Sequence, residues 1–150
     1  MRTVILPVGG GGLAGGMAGY LRGTAPNVRV LGAQSMAADA MTRSLNAGRV
    51  VEIALLPTLA DGLAGQIDGA GLEIGRVALD GVEVVTEDDI ARAIAWLADE
   101  EDLVVEGSGA VGVAALLTGA LGALDGPVVV VISGGNIDPE RHARLRRGER

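Results

Sequence analysis

Two kinds of hydrophobic pattern alternate along this chain. Short apolar runs, "TVILPV" (Thr3–Val8), "VRVLGA" (Val28–Ala33), "VEVV" (Val82–Val85) and "PVVVVI" (Pro127–Ile132), predict strands. The first and last are continuous enough to predict burial on both faces of a sheet, Pro127–Ile132 most clearly. Between them the apolar positions recur at helical spacing, over about Leu13–Arg22, Ala37–Gly48, Gly71–Leu79, Thr86–Asp102, Ser108–Leu124 and Pro139–Arg147. Gly48 suits the left-handed residue that ends a helix, and Pro139 the first turn of one. The Thr86–Asp102 segment is the best formed: Thr86 as N-cap, acids in the first turn, and an apolar stripe of Ile90, Ala93, Ile94 and Leu97. Ser108–Leu124 reads as a buried helix of small residues. Val50–Gly65 is the least regular segment and reads as a strand fragment followed by an ordered loop. Alternation of this kind predicts an α/β fold: three layers, a mostly parallel sheet with helices on both faces. With 150 residues, one domain spanning 1–150 is expected.

Composition narrows the chemistry. There is no Phe, one Tyr and one Trp, so the core must be aliphatic and closely packed, with 25 glycines permitting near backbone approach. A net charge of −7 argues against nucleic acid or an anionic membrane as partner. The absence of cysteine excludes disulfides, thiolate catalysis and Cys-based zinc sites, and His142 is the single histidine. All twelve basic residues are arginine, so this polypeptide offers no lysine for a Schiff base or a P-loop. No apolar run approaches the ~20 residues of a membrane span, a tetraglycine interrupts the only candidate signal core, and a cytoplasmic location is expected. The acids at Glu87–Asp89 and Asp99–Asp102 read as solvated helix ends. The C-terminal arginines (Arg141, Arg144, Arg146, Arg147, Arg150) read as partners of a helix dipole or as solvated side chains.

Ligands of open parallel sheets sit at the carboxyl ends of strands, where this sequence puts two glycine-rich turns, "GGGG" (Gly9–Gly12) and "SGGN" (Ser133–Asn136). The first admits three readings. One is a tight turn without a ligand, which one or two glycines would satisfy. A second is the dinucleotide fingerprint, since Gly10, Gly12 and Gly15 fit G-x-G-x-x-G; its ribose-binding acid, however, is replaced by Gln34. A third is a cradle for one phosphate monoester, in which consecutive glycines turn backbone N–H groups toward a point and the following helix adds its dipole.

The stretch "VILPVGGGGLAGGMAGYLRGTAPNVRVLGAQ" resembles the tetraglycine-loop region of fold-type II pyridoxal-phosphate enzymes, within them the threonine/serine dehydratase and serine racemase group. The resemblance continues in order through "LPTLADGLA", "VVTEDDIARAIAWLADEEDLVVEGSGAVGVAALL" and "VVVVISGGNID", covering essentially the whole chain. It implies pyridoxal 5'-phosphate as cofactor, with Gly9, Gly10, Gly11 and Gly12 holding its phosphate. It implies Ser133 against the pyridine nitrogen, with Gly134 shaping the turn, and Glu106 and Gly62 lining the ring. Glu106 also fits an ordinary helix-start carboxylate. The implied activity is that of an ammonia-lyase taking L-threonine or L-serine to a 2-oxo acid and ammonia.

Two departures matter. Some members bind a divalent cation just after the second strand; the matching positions here are Gln34, Ala38 and Ala40, with Asp39 out of register, so no metal of that type is expected. The family's Schiff-base lysine precedes the tetraglycine loop, and this chain starts a few residues before that loop. It is therefore expected to be the C-terminal half of such an enzyme, inactive alone and without a catalytic residue of its own. Its partners would be a small amino-acid substrate and either further copies of itself or a lysine-bearing N-terminal half. Uncovered apolar edges should make it self-associate or be marginally stable. The alternatives are a non-catalytic phosphate- or dinucleotide-binding module and a subunit of a split enzyme.

Overall fold

The computed structural model describes residues 1–149, so Arg150, counted above with the C-terminal arginines, lies outside the described residues. Four strands, β1 (Thr3–Pro7), β2 (Arg29–Ser35), β3 (Gly81–Val85) and β4 (Val128–Val130), form one sheet in the order β3-β2-β1-β4. Every neighbouring pair is parallel, with Ile5 opposite both Leu31 and Val130. The helices are α1 (Gly12–Thr24), α2 (Ala40–Ala47), α3 (Gly69–Ala78), α4 (Glu87–Glu100), α5 (Gly107–Leu117) and α6 (Pro139–Arg146).

Alternation along β1 decides the layers. Ile5 points to one face, where it joins Leu31, Ala33 and Val85 against α4, α5 and Leu145 of α6. Val4, Leu6 and Val8 point to the other, against Ala14 and Ala18 of α1, Met41 of α2 and Leu72 of α3. The three-layer α/β architecture expected from the sequence is the one observed. Thr86 caps α4 in a full capping box, its hydroxyl accepting from the Asp89 N–H while the Asp89 carboxylate accepts from Thr86. The stripe Ile90, Ala93, Ile94, Leu97 is buried as its spacing required. Gly48 ends α2 at φ 65°, and Asp138 caps α6 with Pro139 in its first turn.

Four expectations need correction. Val50–Gly65 contains no strand; it is an ordered loop with one 3₁₀ turn at Asp61–Leu63. The helix expected from Ala37 divides into a 3₁₀ turn, Met36–Ala38, and α2, with Ser35 capping the turn. The helix expected to reach Leu124 stops at Leu117, followed by left-handed glycines at 119 and 122. Finally, Pro127–Ile132 is not doubly buried: only Val128–Val130 pair, and Val129 is 42% exposed. The run lies at the edge of the sheet, with β1 on one side and no strand on the other among the described residues. Hydrophobicity alone cannot distinguish such an edge from a centre.

Candidate functional site

The strand order locates the site. The chain runs outward from β1 to β2 and β3, then returns to add β4 on the other side of β1. The direction of winding therefore reverses between β1 and β4, and in open sheets that crevice is where ligands bind. The turns that leave these two strands are Gly9–Gly12 and Ser133–Asn136.

At the first turn the backbone is bare and its donors are free. The N–H groups of Gly9, Gly10 and Gly11 have no acceptor among the described residues, and α1 begins at Gly12 with no side-chain cap. The uncapped first turn of α1 adds its own unpaired N–H groups and the positive end of the helix dipole. Gly11 is needed for its conformation, φ 100°, and lies against Met41 and Ile74. Gly10 and Gly12 face open space, with nothing within 4 Å of where a Cβ would be. Gly9 abuts the Asp61–Leu63 turn; a Cβ there would stand 3.3 Å from Leu63 Cα.

The second turn is packed instead. Glu106 occupies the N-cap position of α5, but its carboxylate does not cap that helix. It crosses to the Ser133–Asn136 turn, where Oε2 accepts from the Asn136 N–H at 3.0 Å, and the Glu106 N–H donates to Gly134 O at 3.2 Å. A Cβ on Gly134 would collide with the Glu106 carboxylate, and one on Gly135 would stand 2.6 Å from Val104 O. Ser133 is exposed, and its hydroxyl has no partner among the described residues. Gly62 lies in the 3₁₀ turn, its N–H on the Asp61 carboxylate at 2.9 Å, and a Cβ there would stand 2.9 Å from Ser108 Oγ. Through these contacts Gly9, Gly62, Glu106 and Gly134 belong to one contiguous surface around the crevice, with Ser133 beside it. A bare loop of free N–H donors at one of these strand ends and a carboxylate-braced turn at the other suit a ligand with a phosphate at one end and a polar ring at the other, so the residues present fit pyridoxal phosphate.

Four contributors escaped the reading of the sequence. Gly107 lets α5 start directly against the backbone carbonyl of Leu59, and Gly109 meets Gly134. Their cue was the spacing "EGSG" at the head of a small-residue helix. Ser108 is 4% exposed and its hydroxyl unpartnered, the imprint of tight packing against Gly62. Glu87, read as part of a solvated helix end, is a clamp: its carboxylate accepts from Ser35 Oγ at 2.5 Å, Thr58 Oγ1 at 2.7 Å and Leu59 N–H at 2.6 Å. It fixes the loop that carries Leu59 and leads into Gly62. A carboxylate alone in a run of acids gives no sign of the donors that tertiary structure will bring to it.

Gln34 is buried with its amide fully engaged. Its oxygen accepts from the Thr42 N–H at 3.0 Å and Oγ1 at 2.8 Å, and its nitrogen donates to Ala38 O at 3.4 Å. It is therefore not free to hold a ribose, which counts against the dinucleotide reading. Asp39 pairs with Arg43, and among the described residues no group of three or more His, Cys, Asp or Glu side chains is gathered for a metal ion. Among the described residues, no helix is long and apolar enough to cross a membrane.

Fold and crevice together define an open α/β sheet with a candidate ligand site at its switch point. Residues 1–134 match the family of pyridoxal-phosphate dependent enzymes, and the chain belongs to that family, whose cofactor is pyridoxal phosphate. It is 43% identical over 137 residues to an L-threonine ammonia-lyase of Geobacter sulfurreducens, covering 91% of this chain and 34% of that protein. It is 41% identical over 139 residues to an L-threonine ammonia-lyase of Thermotoga maritima, covering 92% of this chain and 34% of the relative. Among solved structures, a threonine deaminase of T.th. superposes with a TM-score of 0.84 at 36% identity, over 91% of this chain and 50% of that one. Maize serine racemase superposes with a TM-score of 0.88 at 29% identity, over 98% of this chain and 46% of that one. The chain thus spans between a third and a half of the length of these relatives.

Proposed function

We propose that this chain forms the cofactor-holding part of a pyridoxal-phosphate-dependent ammonia-lyase that takes L-threonine or L-serine to a 2-oxo acid and ammonia. The observation that carries the reading is the row of unpaired N–H groups at Gly9–Gly11, continued by the uncapped start of α1, at the sheet's switch point. The names of the relatives support the substrate class.

Gly9, Gly10, Gly11 and Gly12 would hold the cofactor phosphate, the bare backbone allowing the anion to approach several N–H groups at once. Ser133 would place its hydroxyl on the pyridine nitrogen, with Gly134 behind it. A hydroxyl leaves that nitrogen without the held proton a carboxylate would enforce. A Ser133 hydroxyl there would suit loss of a β-hydroxyl from the substrate. Glu106, braced on Asn136, and Gly62, packed on Ser108, would form the walls beside the ring. When bound, the cofactor supplies the conjugated system that makes the α-proton of the amino acid acidic.

The chain has no lysine, so the base at the α-carbon must come from a lysine-bearing segment, either an N-terminal half of the same enzyme or a separate subunit. Calorimetric titration of the 150-residue chain with pyridoxal phosphate should show saturable binding, without the absorbance change that a lysine Schiff base would give. The same preparation should not release ammonia from threonine, and NAD should not bind. Tight NAD binding without pyridoxal phosphate binding would overturn the reading in favour of a dinucleotide module. Sustained threonine dehydration by the chain alone would overturn the need for a lysine-bearing partner.

A further inference from the structure

A second concavity lies beside the crevice, at the carboxyl end of the sheet on the β3 side. It is a cleft of about 610 Å³ between the loop Pro57–Leu59 and the face of α6 that carries Arg141, Arg144 and Leu145, with Glu87 and Glu149 also on its wall. Neither guanidinium makes a hydrogen bond or ion pair among the described residues.

The nearby carboxylates keep their charge but direct their hydrogen bonds elsewhere. Glu87 accepts from Ser35, Thr58 and Leu59. Glu149 is held by two hydrogen bonds from Arg147, at 2.9 and 3.0 Å, and feels Arg144 only as a weaker, longer-range attraction. Asp61, Glu106 and Asp138 line the smaller adjoining cavity together with Arg141, but they accept from Gly62, Asn136 and Arg141 N–H groups respectively. Two local features of α6 oppose the pair, although Arg144 also lies in the last turn, where the dipole favours a cation. Arg141 sits in the first turn of α6, where the helix dipole opposes a cation, and Arg144 follows at i+3 on the same face, where like charges repel. Of the remaining lining, Pro57, Leu59 and Leu145 are apolar, and the Thr58 hydroxyl is engaged with Glu87 and Ser35.

We infer that this cleft binds a small organic oxyanion, a carboxylate or phosphate monoester with a short aliphatic body, held by Arg141 and Arg144. Guanidinium forks suit both oxyanions, and a bound anion would remove both electrostatic costs. The apolar wall takes the body. Leu59 and Arg141 also line the cavity that contains Glu106, Gly107 and Asn136, so occupancy of the cleft would press on the wall of the crevice. The inference does not rest on the proposed cofactor or reaction.

Calorimetric titration of the chain at fixed ionic strength, with pentanoate, butyl phosphate and inorganic phosphate as probes, tests it. Saturable binding of pentanoate or butyl phosphate is expected, tighter than inorganic phosphate gives at this cleft, and the stronger of the two identifies the oxyanion. R141Q/R144Q should weaken it by about tenfold or more, as loss of two charge-assisted contacts implies, while R29Q/R49Q leaves it unchanged. Amide chemical-shift mapping keeps the test independent of any folding defect in the variant. Perturbations of the unsubstituted chain should centre on residues 57–59 and 141–149. No saturable binding of either aliphatic probe, equal binding by R141Q/R144Q, or perturbation confined to Gly9–Gly12 would each overturn the inference.

Discussion

The two glycine-rich turns at the crevice have similar composition and opposite reasons for it. In Gly9–Gly12 the backbone donors are free and two of the positions, Gly10 and Gly12, face empty space. In Ser133–Asn136 the missing side chains permit contact, with Glu106 and the Val104 carbonyl filling the volume that side chains would take. Gly10 and Gly12 are bare toward a ligand, whereas Gly11 serves the backbone conformation and Gly134 and Gly135 serve the protein's own packing. The two needs separate experimentally, because the first should appear in affinity and the second in stability.

The largest effect is expected at the packed turn. G135A drives a Cβ against the backbone oxygen of Val104, which cannot rotate away, and should cost about 2–3 kcal/mol in urea unfolding. A cost near zero would remove the contrast between the turns. G11A comes next at about 1–2 kcal/mol, because alanine resists φ 100°; a gain in stability would contradict the left-handed geometry.

Away from both turns, T86A should cost about 1 kcal/mol by opening the α4 cap. Partial burial pushes the Asp89 carboxyl up, but the hydrogen bonds from Thr86 and the charge of Arg92 outweigh it and hold the group below its usual value. A carboxylate so depressed stabilises the fold above about pH 3.9, its unfolded value, and loses that contribution as pH falls through the lower folded value. Acid titration of wild type against D89N should reveal the difference as a stability gap that closes on acidification.

The smallest stability change belongs to the open turn. G12D should alter stability by less than about 0.5 kcal/mol, since the position faces open space and an acid suits the first turn of α1. Pyridoxal phosphate binding by G12D should nevertheless fall by tenfold or more, on the order of 1.4 kcal/mol, through repulsion of the phosphate. A large stability loss with unchanged affinity would make this turn resemble the other.

Much of the fold could be read from the chain because its determinants are local. The Thr86 cap, the stripe through Leu97, Gly48 and Pro139 each act within a few residues, and all are found where the pattern put them. The edge position of β4 could not be read, because it depends on which strands flank it and not on Val128–Val130. The same distinction holds at the site. Gly9–Gly12 stand out as a run, whereas the clamp at Glu87 draws its donors from Ser35, Thr58 and Leu59, which no pattern near Glu87 announces. Gly107 and Gly109 fall between these cases, visible as a spacing but explained only by Leu59 and Gly134.

The switch point also has a kinetic consequence. Its two turns, Gly9–Gly12 and Ser133–Asn136, are far apart in sequence, and pairing β4 with β1 closes a loop that contains the intervening helices. Closing so long a loop is slow, and parallel pairing gives little reward until it is complete. The crevice should therefore be among the last features to form in refolding and among the first to open under stress. A ligand bound there would act as a latch on the returning strand, its occupancy reporting whether β1 and β4 have met.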